Sequence, residues 1–136
     1  MSKAAGFDIE IPYVAHLGIR KLAEETGSVT TGLHVNPELM NSWHVAHGGA
    51  VMSILDATMG MSAKSLDPEA NGATTVELKV NFLAAATGDI TAKGFAQRAG
   101  RSLVFVEGEV RSASGDLLAK ATGTFKLRHP AARHPT

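Results

Sequence analysis

Hydrophobic spacing changes character along the chain, and each change marks a different kind of element. Ile11 to Leu17 suits a short helical turn, with Pro12 at its start and Gly18 ending it. Ile19 to Glu25 and Val29 to Val35 read as two strands joined by a turn around Thr26-Gly27-Ser28. Asn36 to Val45, with Pro37, Asn41 and Trp43, is expected to be a loop. A helix then starts at Gly48-Gly49 and runs to about Leu66, stopping near Asp67-Pro68 because the residue before proline resists helical geometry.

Beyond Gly72 the period becomes two. Val76, Leu78, Val80 and Phe82 alternate with Glu77, Lys79 and Asn81, as in a half-buried strand. A turn at Thr87-Gly88-Asp89 leads into a strand from Ile90 to Gln97. Arg98 to Arg101 turns the chain into a long strand from Ser102 to Ser112, and Ser114-Gly115-Asp116 is a hairpin signal. In the last strand Ala119, Ala121, Gly123, Phe125 and Leu127 share one face. Arg128 to Thr136 is expected to be a frayed tail. One central helix followed by four consecutive strands implies an antiparallel sheet curled around that helix, an α+β architecture. Its edges need cover, which pairing across a dimer would supply.

The central helix carries an anomaly. From Gly48 to Ala63 the only charged residue is Asp56. A helix apolar all round is normally buried, and a carboxylate there is costly unless it is hydrogen-bonded or faces a cavity. Buried acids concentrate at active sites, which makes Asp56 a candidate for chemistry. The plainer alternative puts it on a narrow solvent-facing stripe or has it cap a backbone group. Its neighbours one turn away, Met52, Ser53, Met59 and Gly60, bring no companion charge to such a stripe. His47-Gly48-Gly49 opens the same helix, where unpaired N–H groups and the helix dipole favour negative charge. A substrate carbonyl against the Gly48 N–H would find an oxyanion donor, and neither glycine has a side chain to block it. An ordinary turn would carry the same triplet.

Composition narrows the classes. The 136 residues fit one domain with a real core. Thirteen basic residues balance thirteen acidic ones, which leaves no basic footprint for a nucleic-acid partner. There is no cysteine, so thiolate catalysis and Cys-based metal sites are excluded. His34, His44, His47 and Asp56 make a poor zinc motif at their spacing, and no G-x-S-x-G elbow marks a serine nucleophile. Met1 to Asp8 lacks the apolar region of a secretory signal. The stretch around Asp56 falls short of the ~20 apolar residues a bilayer needs. The expectation is a cytoplasmic protein with no membrane partner.

Asn41, His47-Gly48-Gly49 and Asp56, taken with the strand Thr74 to Leu83 and the closing hairpin Gly115 to Phe125, resemble the hotdog-fold acyl-CoA thioesterases of the phenylacetate-degradation type. The resemblance covers Leu17 to Leu127, implying one hotdog domain over residues 1–127 and a tail over 128–136. It implies that Asp56 is the catalytic carboxylate, attacking the thioester carbonyl or activating a water. The Gly48 N–H would polarise the thioester oxygen, Asn41 would help hold substrate or water, and Thr75 would orient the water. The parity of Thr75 with Glu77 and Lys79 sets it off the buried face of its strand, which suits contact with a cavity. His47 would shape the loop and helix start beside Gly49. Each site would lie between two subunits, with Asp56 and Thr75 from one and Gly48 and Asn41 from the other, in a homo-oligomer built as a dimer of dimers. The substrate would be an acyl-CoA, and no metal or organic cofactor is implied. Arg98 and Arg101 around Gly100 are candidates for the coenzyme A phosphates, with an ordinary charged hairpin as the alternative. Met52 and Met59 are expected in the acyl-pocket wall, and Trp43 either there or beneath the loop. Relatives commonly have Pro or Gly between Asn41 and His47, where this chain has Trp43 and His44, so aryl-acetyl, benzoyl and medium-chain acyl groups all stay open. Two other readings remain. A non-catalytic acyl-CoA-binding module would have lost the acid or carry a DNA-binding domain, and a hotdog dehydratase or hydratase would use a histidine base.

Overall fold

The computed structural model describes residues 5–98 and 100–130. A short helix α1 (Pro12–Leu17) precedes strands β1 (Arg20–Glu25) and β2 (Ser28–His34) and a 3-10 turn (Pro37–Leu39). The long helix α2 (Gly48–Lys64) follows, then β3 (Gly72–Phe82), β4 (Asp89–Arg98), β5 (Leu103–Ser112) and β6 (Leu117–Arg128). The strands form one antiparallel sheet in the order β1-β2-β4-β5-β6-β3, with α2 packed on its inner face. This is the hotdog architecture. Gly18, at φ +83°, closes α1 in the left-handed region that glycine enters without strain. Among the described residues no helix is long and apolar enough to cross a membrane.

The sheet is floored with glycine where the helix crosses it. Gly94 and Gly108 sit opposite each other on β4 and β5, and Gly123 lies on β6. A Cβ on Gly94 would strike Ser62, one on Gly108 would strike Met59, and one on Gly123 would crowd the Glu77 carbonyl and Met59. Met59 is fully buried in this seat. It therefore belongs to the core and not, as expected, to an acyl-pocket wall.

A seam of hydroxyls fixes the roll of the helix. Thr58 Oγ1 donates its one proton to the Ile54 carbonyl at 2.6 Å, so in its 2.7 Å contact with Thr31 Oγ1 the latter is the donor. Ser62 Oγ accepts from the Val29 N–H at 3.1 Å and Ser65 Oγ from the Gly27 N–H at 2.7 Å. These satisfied groups tie one side of α2 to β2 and the turn before it.

Strand β3 carries a bulge. Thr75 pairs with Phe125 and Glu77 with Thr124, leaving Val76 as an extra residue. Parity reverses there. Downstream, Leu78 and Val80 point inward; upstream, Thr75 takes the side of buried Phe125 and faces the helix. The parity that set Thr75 with Glu77 and Lys79 is thus corrected, while the cavity contact expected of Thr75 is present, since it is exposed and lines a cavity beside the helix. At the other end, β6 continues to Arg128, whose Nε donates to Thr74 Oγ1 at 2.9 Å. His129 Nε2 lies 2.9 Å from Asp67 Oδ2, so tertiary contacts continue past the expected start of the tail. Residues 131–136 of that tail lie outside the described residues.

Filling the seat should loosen the fold. Gly94→Val pushes on Ser62 and breaks its hydrogen bonds, and overpacking of this kind costs about 1–3 kcal/mol. Urea unfolding should show that loss; an unchanged midpoint would mean that the helix does not rest there.

Candidate active site

His47 is the N-cap of α2, and its Nδ1 accepts the Gly49 N–H at 2.8 Å. That bond needs a free lone pair on Nδ1, so the ring proton sits on Nε2. The Gly48 N–H, first in the helix, makes no hydrogen bond among the described residues. The Phe82 ring lies 3.6 Å from where a Gly48 side chain would begin.

The loop before this helix is organised by Asn41. Its Oδ1 accepts from the Trp43 N–H at 2.9 Å and, at 3.4 Å, from the Val45 N–H. Its backbone N–H meets the Val45 carbonyl at 2.8 Å, and its carbonyl accepts from the His44 N–H at 3.0 Å. This tight turn puts His44 at φ +61°. The Asn41 oxygen is thereby committed to the loop, and its NH2 group is what remains to face a ligand. Trp43 is 81% exposed, so within one chain it neither lines a pocket nor packs beneath the loop. Met52 is exposed as well.

Asp56 is half-buried and opens onto a groove of about 620 Å³. The helix is apolar, but one side of it faces a cavity, which is one of the settings in which a carboxylate is expected there. Two rows at four-residue spacing, Asp56-Gly60-Lys64 and Ala57-Met61-Ser65, line the groove from α2. The start of β3 and the segment around Phe7 and Ile11 line it from either side. Thr75 Oγ1 donates to Asp56 Oδ1 at 2.6 Å, a contact the bulge makes possible. Asp56 Oδ2 has no partner among the described residues. Thr75, its proton committed, retains lone pairs that can accept from a water.

Gly48 and Asp56 are eight residues apart on one helix, about 12 Å along its axis. One chain's donor and acid therefore cannot both touch a single carbonyl group. Of the expected site residues, the structure joins His47, Gly48 and Gly49 with the Asn41 loop at one end of α2, and Asp56 with Thr75 further along it. The wall from Phe7 and Ile11, and Lys64, are groove residues that sequence reasoning missed. The one available signal was that Lys64 is the first charge after Asp56, two four-residue steps on.

Arg98 is engaged elsewhere. Its Nη2 lies 3.0 Å from Asp67 Oδ2, the oxygen that also meets His129, while Asp67 Oδ1 accepts the Glu69 N–H at 2.9 Å. In this chain the guanidinium clasps the helix end to β4. Gly100 and Arg101 sit exposed on the turn. The four candidate metal ligands are not gathered. His34 Nδ1 pairs with Asp89 at 2.9 Å, His44 is in the loop, His47 caps the helix and Asp56 meets Thr75. Among the described residues no group of three or more such side chains could hold a metal ion.

A long helix wrapped by one antiparallel sheet, with an acid on one side and a free N–H at its start, is the arrangement of a hotdog protein. Residues 44–119 match the thioesterase superfamily, and the chain belongs to it. It is 34% identical to a candidate esterase of Saccharolobus solfataricus over 82% of this chain and 79% of that one. Among solved structures, a conserved protein of Pseudomonas aeruginosa superposes with a TM-score of 0.78 at 31% identity, covering 86% of this chain and 94% of the other. The PaaI protein of the Escherichia coli phenylacetic acid degradation operon gives 0.78 at 18% identity, over 85% and 83%. A Streptococcus mutans protein bound to acetyl-CoA gives 0.74 at 24% identity, over 82% and 89%.

The Asp67 clasp has a pH signature. The His129 hydrogen bond, with the Glu69 N–H and Arg98, holds the Asp67 carboxyl down from its ordinary 3.8 to about 2. A lowered carboxyl stabilises the fold above 3.8, and that contribution is lost as pH falls through about 2. An NMR titration of the Asp67 carboxyl should show the low midpoint, rising towards 3.8 in His129→Ala; a midpoint that ignores the substitution would remove His129 from the clasp.

Proposed function

We propose that this protein hydrolyses acyl-CoA thioesters at a site shared by two subunits. The observation that carries the reading is the 2.6 Å bond from Thr75 to Asp56 at the mouth of the groove, which orients one carboxylate oxygen and leaves the other for chemistry. Acting as a base, Asp56 Oδ2 takes a proton from a water whose oxygen attacks the thioester carbon. The coenzyme A thiolate then leaves and recovers that proton. Acting as a nucleophile, Oδ2 attacks the carbon itself, expels the thiolate and forms an anhydride that water cleaves. Either route builds negative charge on the thioester oxygen, which an unpaired N–H at a helix start can stabilise. No metal or organic cofactor is needed. A histidine-based hydration finds no support in the groove, because no histidine is among the described residues that line it with Asp56. The acetyl-CoA held by the Streptococcus mutans relative supports a coenzyme A thioester as substrate.

The ~12 Å between Gly48 and Asp56 supports the shared site. Strand β3 is a sheet edge, with Val76 and Phe82 exposed. Gly48 packs by Phe82 and Asp56 by Thr75, so α2 and β3 run antiparallel. If two β3 edges pair about a two-fold axis at Lys79, Leu78 meets the partner subunit's Val80 on the inner face and, with the bulge absorbing Val76, Thr75 comes opposite the partner subunit's Phe82. The partner subunit's Gly48 then arrives beside Asp56, and the arrangement is isologous, so both sites form at once.

Asp56→Asn keeps size and hydrogen bonding but removes the charge, so kcat should fall on the order of a hundredfold or more while acyl-CoA binding persists. Thr75→Ala should cost less. Wild-type turnover in folded Asp56→Asn would end this mechanism, and binding without hydrolysis in the wild type would mean a non-catalytic module.

Gly48→Pro tests the donor. Proline is tolerated at the first helical position and deletes only an N–H that the helix does not use. His47, at φ −59° and ψ 141°, already has the extended geometry a following proline demands. Turnover should drop about 10²–10³-fold. Mixed and reassembled with Asp56→Asn, it should regain about a quarter of wild-type activity, because hybrid dimers hold one intact site. Failure of the reassembled mixture to recover would sink the shared site.

A further inference from the structure

Resting on the thioesterase reading, we propose that the groove running from Asp56 to Lys64 is the acyl pocket and that Lys64 selects acyl chains ending in a carboxylate. The two four-residue rows of α2 carry the groove away from Asp56 towards the helix end. Its walls are largely apolar, with Phe7, Ile11, Val14, Ala57, Met61 and Ala73 among them. Such a lining suits an acyl chain and offers little to the amides of a pantetheine arm.

Gly60 lies midway along the Asp56-Gly60-Lys64 row. A glycine inside a helix costs about 1 kcal/mol relative to alanine. Packing does not demand it here, since a Cβ would sit 3.5 Å from the Phe125 ring, an ordinary contact. Gly60 lines the groove between the acid and the lysine and puts no side chain there.

Lys64 marks the far end. It is half-buried and, among the described residues, has neither an ion pair nor a hydrogen bond. The other charges lining the groove are Asp56, Lys21, Glu24 and Asp8. Lys21 is held by Glu24 at 2.8 Å and lies 5.8 Å from the Phe7 ring centroid; Asp8 is exposed at the rim. A favourable position against the helix dipole accounts for a cation in the last turn, but not for one lining the cavity. An uncharged chain filling the groove would strip water from this ammonium with nothing in return. A terminal carboxylate would supply a charge-assisted partner. The separation of Asp56 and Lys64, about 12 Å along the axis, matches a medium-length chain within the lysine's reach.

The test compares suberoyl-CoA with octanoyl-CoA, which have the same chain length and differ at the far end. The wild type should favour suberoyl-CoA in kcat/KM. Lys64→Met should lower that preference on the order of tenfold, through KM, without slowing octanoyl-CoA, and Lys64→Arg should restore it. A wild type that cleaves octanoyl-CoA but discriminates against suberoyl-CoA overturns the proposal and leaves the thioesterase reading intact. Equal losses on both substrates in Lys64→Met would overturn it too, by assigning the lysine to the coenzyme A moiety or to the fold. A wild type that cleaves no acyl-CoA across a panel of chain lengths would instead reject the thioesterase reading.

Discussion

The closeness of α2 to the sheet governs the rest of the molecule. Gly94, Gly108 and Gly123 remove three side chains from the inner face, and Met59 settles into the space they leave. A helix seated this tightly cannot roll freely, because interiors pack at crystal-like density. The hydroxyls of Thr58, Ser62 and Ser65 then choose one roll by binding Thr31, Val29 and Gly27 on the β2 side. Turning that row towards β2 turns the Asp56-Gly60-Lys64 row towards the start of β3. The carboxylate is aimed by contacts made on the other side of its helix.

The second half of the aim comes from β3. Without the extra residue at Val76, Thr75 would follow Glu77 and Lys79 to the outer face. The bulge returns it to the helix side, where its hydroxyl meets Asp56. Bulges recur beside active sites because they re-aim one side chain without disturbing the rest of a ladder. Here the downstream strand keeps Leu78 and Val80 against the core while the upstream strand serves the groove.

Long, strongly periodic elements were legible in the sequence. The alternation in β6 and the apolar run of α2 specify both elements and, with the hairpin signals, the antiparallel sheet. The helix end was overshot by about two residues, because Ser65, Leu66 and Asp67 continue in turns that hydrogen-bond back to Met61, Ala63 and Lys64. Which face of α2 is buried was not legible: a helix apolar all round has no polar stripe to orient it, so Met59 and Met52 looked alike. The bulge left no trace either, since no glycine or proline marks Val76. Arg98 looked free because its partner, Asp67, is distant in sequence and is shared with His129 from the far end of the chain. Asp56 and His47-Gly48-Gly49 could be picked out from their chemistry and place on the helix, whereas Asn41 and Thr75 were marked only by the resemblance to the thioesterase family; Phe7, Ile11 and Lys64 join the groove only through tertiary folding.

The start of α2 and the carboxylate at its middle are each built locally and completely. His47 and the Asn41 loop hold the helix start, while Thr75 and the bulge hold the carboxylate, and neither depends on the other. The helix itself keeps them about 12 Å apart. On the proposed reading, tertiary structure pre-organises both half-sites and only assembly brings an acid within reach of a donor. Activity then depends on subunit concentration even where folding does not, because the free subunit carries both halves without a complete site. The groove is different: one chain alone supplies the walls described, so on the same reading acyl selection belongs to the subunit while hydrolysis belongs to the pair. Changes at Lys64 or Gly60 can therefore alter what is cleaved without altering the contacts that make cleavage possible.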